Sequence, residues 1–451
     1  MGANRVILPA VIERFFRLTE HRTTVRTEVV AGVTTFLTMA YIIFVQPTVL
    51  SAAGMDFGAV LVATCLASGI ATLMMGLFAN YPIAVAPAMG HNFFFAFTVV
   101  AATGVRWQTA LGAVAVAGLI FILTAGIGLR ERLIPAIPES LKYAMAVGIG
   151  LLIALIGLEW GGIVRAAPGT LVTLGHLKSP AALLAVFGLL IMGMLTARRV
   201  KGALLLGMLA STVAGLATGL VRYDGVVSTP PSIAPTLLRL DVIGAVSPSM
   251  ISVIFVFFFL ALFDSVGTLV GVASQAGLMR GNGLPRARQA LLADAIGTVI
   301  GAMLGTSTVT AYIESSTGVA AGGRTGLANV VTASLFFLSL FFFPLVRMIG
   351  GGYPAGDGLT LHPVIAPALV LVGTMMMPGV RSIAWDDPTE AIPAFLTIVI
   401  MPLTVSITDG IAFGMISYAV LKIATGRRRE AHALVYLFAV LFVLRYGFLT
   451  T

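Results

Sequence analysis

Apolar segments of about 20 residues recur along nearly the whole 451-residue chain, and this recurrence constrains the fold more than any other feature. A transmembrane helix needs a segment of that length, whereas the strands of a membrane β-barrel alternate apolar and polar residues. Mean hydropathy is +1.03 and only 10% of the residues are charged. The pattern predicts an all-α polytopic membrane protein and excludes an ordinary soluble enzyme.

Fourteen membrane-spanning segments can be placed in two sets of seven. The first set is 29–50, 57–79, 89–103, 107–129, 140–157, 180–197 and 201–221. The second set is 250–272, 287–304, 312–321, 325–348, 362–378, 391–407 and 409–424. Arg and Lys concentrate in the loops that an inside N-terminus would place in the cytoplasm, so the net charge of +9 reflects topology and not nucleic-acid binding. We expect a multi-pass protein of the cell (plasma or inner) membrane with a cytoplasmic N-terminus.

Weak similarity relates the two sets. Short matches of small residues, such as ASGIATLMMG at 67–76 and ADAIGTVIGA at 293–302, occur in the same order in both. Because seven is an odd number, two related halves must have opposite orientations in the membrane. Inverted repeats are typical of secondary transporters, which bind substrate near the midplane between discontinuous helices.

Two polar segments interrupt the apolar pattern at corresponding places in the halves. The first is NYPIAVAPAMGHN (80–92), in which two prolines are too close together for one regular helix, and the second is TSTVTAYIESSTG (306–318). Each predicts a short extended piece that leads into a half-helix, one beginning near Ala88 and the other near Glu314. Half-helix N-termini offer free N–H groups and a positive dipole end to a ligand. A pair of kinked structural helices is the alternative.

Two acids fall within predicted spans. Asp264 is the only charge in IFVFFFLALFDSVGTLVGVA (254–273), and Glu314 lies in the second polar segment. A charge at membrane depth costs at least about 2.5–3.5 kcal/mol on insertion scales and by default marks a functional site. Two carboxylates without Lys or Arg at the same depth suit a cation or a neutral ligand with N–H donors. Burial favours the neutral carboxyl group, so either acid could carry a coupling proton. A structural hydrogen bond or helix-end charge is the alternative for each.

Several neighbours of these acids are further candidates. Tyr41 corresponds to Asp264 by the repeat offset, so both are expected to face one cavity. Asn92 carries a donor and an acceptor, as recognition of a base edge requires. His91 could line the cavity, relay protons or only satisfy a neighbouring helix. One or two of the Phe residues that flank Asn92 and Asp264 could stack on a planar heterocycle.

Other motifs restrict the function. No nucleotide-binding loop, catalytic triad or zinc-ligand pattern is present, so we expect no enzyme activity, no metal and no cofactor beyond a coupling proton, with sodium as the alternative ion. AWDDPTEAIP (384–393) predicts a helix cap. Asp294 is placed near the membrane interface, Cys65 in the core, and the apolar run 431–448 has no assigned position.

Three motifs resemble the AzgA-like purine permeases of the nucleobase–cation symporter-2 (nucleobase–ascorbate) superfamily. They are APAMGHNFFFAF (86–97), LFDSVGTLVGVA (262–273) and TSTVTAYIESSTGVAAGGRTGL (306–327), and the resemblance covers 13–411. It implies fourteen spans in 7+7 inverted repeats that form a core and a gate domain, each built from two stretches of chain. The implied order is an N-terminal tail (1–28), the first core stretch (29–135), the first gate stretch (136–225), an extracytoplasmic loop (226–249), the second core stretch (250–350), the second gate stretch (351–426) and a basic anchor with an apolar segment (427–451).

The resemblance also implies a function, namely import of adenine, guanine or hypoxanthine by proton symport with alternating access between core and gate. The expected substrate-binding residues are Asp264, Glu314, Asn92, Tyr312, Ile313, Ala88 and Tyr41, and the expected proton-coupling residues are Glu314, Asp264 and His91. Ala88 and His91 depart from the family pattern, which leaves the preferred base open. The expected partners are a purine nucleobase, the lipid bilayer and a second copy through the gate domain, with no nucleic acid. The alternatives are xanthine, urate or uracil transport by the same fold, an anion permease and a passive channel.

Overall fold

Helices account for most of the computed structural model, which describes residues 12–126, 138–167, 169–279, 284–355 and 360–448. In the first half the elements are α1 (Val25–Met39), α2 (Tyr41–Ser51), α3 (Phe57–Met74), β1 (Val85–Pro87), α4 (Met89–Phe93), α5 (Trp107–Gly126), α6 (Glu139–Trp160), β2 (Val164–Ala167), β3 (Leu171–Leu174), α7 (Pro180–Ala197) and α8 (Ala203–Ala217). Short π-helical turns, Met75–Ala79 and Phe94–Ala101, extend α3 and α4.

The second half follows the same plan. Its elements are α9 (Val242–Ala245), α10 (Ile251–Gln275), α11 (Ala287–Leu304), β4 (Val309–Ala311), α12 (Ser315–Ala320), α13 (Gly326–Ser339), α14 (Phe343–Gly350), β5 (Tyr353–Pro354), β6 (Thr360–Leu361), α15 (Ala366–Met376), α16 (Pro388–Thr404), α17 (Ile407–Ala424) and α18 (Ala433–Phe448). Turns of 3-10 helix, Pro248–Met250, Leu340–Phe342 and Met377–Ser382, adjoin α10, α13 and α15.

Each of the fourteen predicted spans overlaps one of these helices, and the all-α polytopic fold is confirmed. Nine helical segments in the described ranges are long and apolar enough to cross a membrane, and shorter apolar helices lie between them. The run 431–448, which the sequence left unassigned, forms α18 and packs against α17.

The helices pack in two bundles that each mix the two halves. In one bundle, α1 and α3 contact α13, while α3 and α5 contact α11. In the other, α6 packs against α15 and α16, α16 packs against α17, and α7 packs against α8 and α15. The helices of the first bundle belong to predicted spans 1–4 and 8–11, and those of the second belong to spans 5–7 and 12–14.

The two interrupted spans meet in the first bundle, where β1 and β4 pair in antiparallel register with Ala86 opposite Thr310. Each strand leads into a short helix, with Ala88 as the residue before α4 and Glu314 as the residue before α12. The prediction of two extended pieces followed by half-helices is therefore confirmed. Backbone N–H and C=O groups at membrane depth need hydrogen-bond partners. An isolated extended piece has none of its own, so the ladder between β1 and β4 supplies them to both segments.

Glycines allow α12 and α13 to pack closely against neighbouring segments. A β-carbon at Gly318 in α12 would lie 2.0 Å from Thr35 Oγ1 of α1, which leaves no room for a larger residue. One at Gly326, the first residue of α13, would lie 1.9 Å from the carbonyl oxygen of Gly76. Small residues at such crossings let backbones pack directly, as is typical of membrane helices.

Three predictions made outside the interrupted spans have clear outcomes. Asp387 precedes α16 and its Oδ1 accepts a hydrogen bond from Thr389 N at 2.9 Å, which confirms the helix cap. Cys65 is buried in the core, as predicted. The interfacial placement of Asp294 is wrong, because this residue is fully buried in α11 and its carboxylate accepts a hydrogen bond from Ser265 of α10. A carboxylate in that position joins two helices, a role that the sequence pattern alone does not distinguish from an interfacial charge.

Candidate substrate site

A cavity of about 530 Å³ lies where the two half-helices begin. Its wall combines the junction of α1 and α2, the start of α4, the middle of α10, the β4–α12 segment, the last turn of α15 and the connection between α7 and α8. Most of the residues expected at the substrate site line this cavity, and they are Tyr41, Ala88, Asp264, Tyr312, Ile313 and Glu314. The fold thus brings both intramembrane acids to one space that both bundles enclose.

Glu314 is positioned by span 1. The Tyr41 hydroxyl donates a hydrogen bond of 2.7 Å to Glu314 Oε1. The backbone carbonyl of Glu314 accepts a hydrogen bond of 2.7 Å from Thr317 Oγ1, which lies 2.9 Å from Thr38 Oγ1. Two residues of the first span therefore hold the start of α12 from the side, and a carboxylate at that end of a helix interacts favourably with the helix dipole.

Asp264 reaches the same cavity from an uninterrupted helix. It lies in the middle of α10, is exposed to the cavity, and its Oδ2 accepts a hydrogen bond of 3.2 Å from Thr310 Oγ1 in β4. Among the ion pairs of the described residues, neither Asp264 nor Glu314 has a cationic partner. A site of this charge is complementary to N–H donors or to a cation and repels an anion.

Tyr312 joins the two interrupted spans. Its backbone N–H donates a hydrogen bond of 2.9 Å to the carbonyl oxygen of Ala84, and its hydroxyl donates to the carbonyl oxygen of Pro87. The neighbouring Ile313 side chain is exposed and lines the cavity. Tyr312 therefore serves the ladder as well as the cavity wall.

Two predicted site residues lie outside the cavity wall. Asn92 is fully buried, and its Oδ1 accepts a hydrogen bond from the Ser307 hydroxyl on the other interrupted span. Gln46 extends this network, since its Nε2 lies within hydrogen-bond distance of Ser307 Oγ at 3.4 Å and also donates to Thr306 Oγ1 at 2.8 Å. His91 is also buried, and among the described residues neither ring nitrogen has a hydrogen-bond partner. The structure places Asn92 and His91 behind the wall, with Ala88, which precedes α4, on the cavity side.

The Phe residues expected to stack on a ligand do not line the cavity. Phe93, Phe94 and Phe95 are buried in the apolar core, and Phe259 packs against Phe263. The aromatic groups in the wall are instead the two tyrosines, Tyr41 and Tyr312. The Phe positions pack helices together, which is the commoner use of large apolar side chains in a membrane bundle.

Other wall residues escaped the sequence analysis. Thr310 lies four residues before Glu314 in the motif TAYIE, so this polar residue could have been predicted as a member of the site. The contributions of Met375 and Met376 could not have been found, because only packing of α15 against α6 brings them to this wall. Arg199 and Lys201 also line the cavity. Their basic character suggested only a topological role in the sequence.

Comparison with known proteins identifies the family. Residues 26–413 match the Permease family (Xan_ur_permease). The chain belongs to this family. It is therefore a membrane transporter and not an enzyme. The adenine permease AdeP of Escherichia coli is 46% identical over 440 residues, covering 97% of this chain and 96% of AdeP. The guanine/hypoxanthine permease PbuO of Bacillus subtilis is 46% identical over 436 residues, covering 95% of this chain and 99% of PbuO.

The fold of this permease also occurs in a distant solved structure. The transmembrane domain of a cyanobacterium bicarbonate transporter, BicA, superposes with a TM-score of 0.60 at 17% identity, covering 85% of this chain and 97% of that domain. At that identity the similarity concerns the fold alone. The residues of the site must then decide the substrate.

Proposed function

We propose that this permease imports purine nucleobases by proton symport. The observation that carries the proposal is the meeting of Asp264 and Glu314 in one cavity without a cationic partner among the described ion pairs. A purine presents N–H donors along its edge, and each donor can be bound by a carboxylate oxygen in a charge-assisted hydrogen bond. The permeases AdeP and PbuO, which carry adenine and guanine/hypoxanthine in their names, support a purine as the substrate class.

The wall provides more than charge. Hydroxyl groups of Tyr41 and Thr310 each donate to one oxygen of an acid, which limits the rotation of both acidic side chains. Such preorganisation reduces the entropy that a ligand loses when it binds. Ile313 and Met376 add apolar surface on which a planar ring can lie. A site of fixed acceptors and apolar walls favours a flat neutral heterocycle over an inorganic ion.

The part of the cavity at Asp264 and Glu314 is a poor site for a small anion, even though BicA shares the fold. Two carboxylates that form no ion pair among the described residues repel a bicarbonate-like ligand at short range. The two acids of the cavity therefore distinguish this permease from anion carriers that share its fold.

Alternating access between the two bundles belongs to the proposal. The cavity extends from the two acids to the connection between α7 and α8, which the charge distribution places on the cytoplasmic side. We assign this state to an inward-facing conformation, with the N-terminus cytoplasmic, the bundle of spans 1–4 and 8–11 as core, and the other bundle as gate. A homodimer through the gate domain stays a prediction.

Uptake of labelled adenine, guanine, hypoxanthine, xanthine and uracil tests the substrate. Cells that lack their own permeases should accumulate at least one purine when they express this chain, and unlabelled purines should compete. Preferential uptake of xanthine or uracil would support the alternative substrates instead. If none of the five bases accumulates above empty-vector cells despite surface expression, the proposal is wrong.

Proton coupling needs its own measurement. In proteoliposomes, an inward proton gradient should drive accumulation of the base, and a protonophore should abolish it. A sodium gradient imposed at equal pH on both sides is the control. If accumulation depends on the sodium gradient and not on the proton gradient, sodium is the coupling ion. The assignment of a nucleobase as substrate would not change.

A further inference from the structure

The wall of the cavity carries cations as well as acids. Arg199 and Lys201 line the cavity together with the two acids, and both residues are exposed. Across the described ranges, neither residue forms an ion pair. Thr196 lies in the same wall, and its hydroxyl has no hydrogen-bond partner among the residues described. One continuous space is thus lined by acceptors for a base from α10 and the start of α12, and by unpaired cations from the connection between α7 and α8.

The connection that carries these cations packs beside the middle of span 1. A β-carbon at Gly202 would lie 3.3 Å from the carbonyl oxygen of Leu37, so the connection between α7 and α8 packs against α1. Leu37 is about 18 Å along the helix from Val25, the first residue of α1, at 1.5 Å per residue. The same position is about 6 Å along the span from Tyr41, which binds Glu314. The connection therefore lies close to the substrate site.

The two neighbouring arginines at the end of α7 differ in backbone conformation and in their position relative to the cavity. Arg199 follows the end of α7 with φ of +55°, the left-handed conformation that often ends a helix, and it lines the cavity. Its neighbour Arg198 is exposed, has an ordinary φ of −79° and does not line the cavity.

We propose that purine nucleoside 5′-monophosphates bind this cavity from the inside and inhibit uptake. The inference rests on the proposed function, because the base of the nucleotide would occupy the site at Asp264 and Glu314. The phosphate would then lie at Arg199 and Lys201, where guanidinium and ammonium groups bind phosphate through charge-assisted hydrogen bonds. A cavity of about 530 Å³ is in the range of pockets that hold ligands larger than a single base.

The consequence is feedback by the product of phosphoribosyl transfer. In that reaction a ring nitrogen of the imported base bonds to C1 of a 5-phosphoribose 1-diphosphate, the C1–O bond breaks, and diphosphate and the ring proton leave. The nucleotide therefore accumulates on the side to which the cavity opens. A ligand that bridges the bundle containing Glu314 and the connection containing Arg199 stabilises the inward-facing state. By linkage, preferential binding to one state depopulates the other and slows turnover.

Competition for the labelled base in the purified full-length permease tests the inference. AMP and GMP should displace the base that each contains, whereas ribose 5-phosphate and inorganic phosphate should displace it at least about 10-fold less well, since they lack the base contacts. Arg199→Ala combined with Lys201→Ala should weaken nucleotide binding at least about 10-fold more than it weakens base binding. Arg198→Ala is the matched control and should change neither, while Arg199→Lys with Lys201→Arg should retain nucleotide binding.

A transport experiment tests whether nucleotides inhibit from the inside only. AMP or GMP sealed inside proteoliposomes should slow uptake of the base, and the same nucleotide outside should not. The inference is overturned if the base binds and nucleotides do not compete, if competition survives Arg199→Ala with Lys201→Ala, or if phosphate alone competes equally well. Those results leave the proposed function standing. Failure of the base itself to bind would contradict the proposed function and, with it, this inference.

Discussion

The acids of the cavity and the acids near the end of α17 differ in what surrounds them. Asp264 and Glu314 accept hydrogen bonds from hydroxyl groups. In the second group, Glu390 and Glu430 lie 3.0 Å and 2.9 Å from Lys422 Nζ, and Asp387 lies 2.7 Å from Arg427. The second group is neutralised by its own cations, whereas the first forms no ion pair among the described residues. The ion pairs give the second group a structural role, and we propose that the first group binds the substrate.

Removal of one cavity charge should have the largest effect. Glu314→Gln and Asp264→Asn each keep the shape of the side chain but replace an acceptor by an amide. We expect each variant to reduce base uptake about 100-fold, because a charge-assisted hydrogen bond to the substrate is lost. Uptake per molecule at the cell surface is the measurement. Glu430→Gln, in the paired group, is the matched control, and uptake by Glu314→Gln at the wild-type rate would remove the distinction between the groups.

Removal of the buried cation should affect stability instead. The Lys422 side chain is only 1% exposed, and Lys422→Met leaves Glu390, at 16% exposed, without its nearest cation. We expect a loss of about 3 kcal/mol in the free energy of unfolding, seen as a lower midpoint of thermal unfolding in detergent. Uptake per folded molecule should not change. Adding Glu390→Gln should restore some of the stability, since the unpaired charge is then gone; a further loss in the double variant would contradict this account.

Smaller changes to the cavity separate the contributions of the hydroxyl groups. Tyr41→Phe removes the donor that lies 2.7 Å from Glu314 and should reduce uptake at low base concentration about 10-fold. Thr310→Val removes the longer bond of 3.2 Å to Asp264 and should cost less, about 3-fold. Concentration-dependent uptake by both variants is the measurement. If Thr310→Val proved the more damaging, Thr310 would have a role beyond orienting Asp264.

The smallest effect concerns pH. The hydrogen bonds from Thr389 and then Arg427 lower the pKa of Asp387 to about 2, and those from Arg427 and then Lys422 lower the pKa of Glu430 to about 2. A depressed pKa in the folded state adds stability above the unfolded value of about 4, and this stability is lost as pH falls toward 2. The stability that these two acids add should therefore be constant between pH 5 and 8, so in that range the midpoint of thermal unfolding should show no pH dependence from them.

The same pair of acids provides a control for proton coupling. Asp387→Asn with Glu430→Gln should leave the pH dependence of uptake between pH 5 and 8 unaltered and should flatten only the acid limb of the stability curve. A shift of the pH profile of uptake in that double variant would show that the paired acids participate in transport. The difference in role between the cavity acids and the paired acids would then not hold.

The sequence predicted the features of this site that depend on local pattern. Prolines near 82–87 and the polar run 306–318 marked the interruptions, because neither can continue an apolar helix. The helix starts after Ala88 and Glu314 followed directly.

The features that depend on rotation and tertiary contact were not predictable. Asn92 and His91 lie behind the wall because α4 presents its first residues to the cavity, and the rotation of a five-residue helix is not encoded in its neighbours. Asp294 has the spacing of an interfacial charge, yet its contact with Ser265 buries it. Arg199 and Lys201 satisfy the positive-inside pattern, which concealed their position beside α1.

The two-stranded ladder has a mechanical consequence. Val85–Pro87 and Val309–Ala311 come from opposite halves of the chain, and the hydrogen bonds of Tyr312 to Ala84 and of Ala88 to the carbonyl oxygen of Thr308 fasten the half-helices to each other. If the proposed site opens in turn to the two sides of the membrane, these hydrogen bonds would keep the two half-helices in one relative position throughout. The residues around a bound base would then stay together while the helices that close the cavity change.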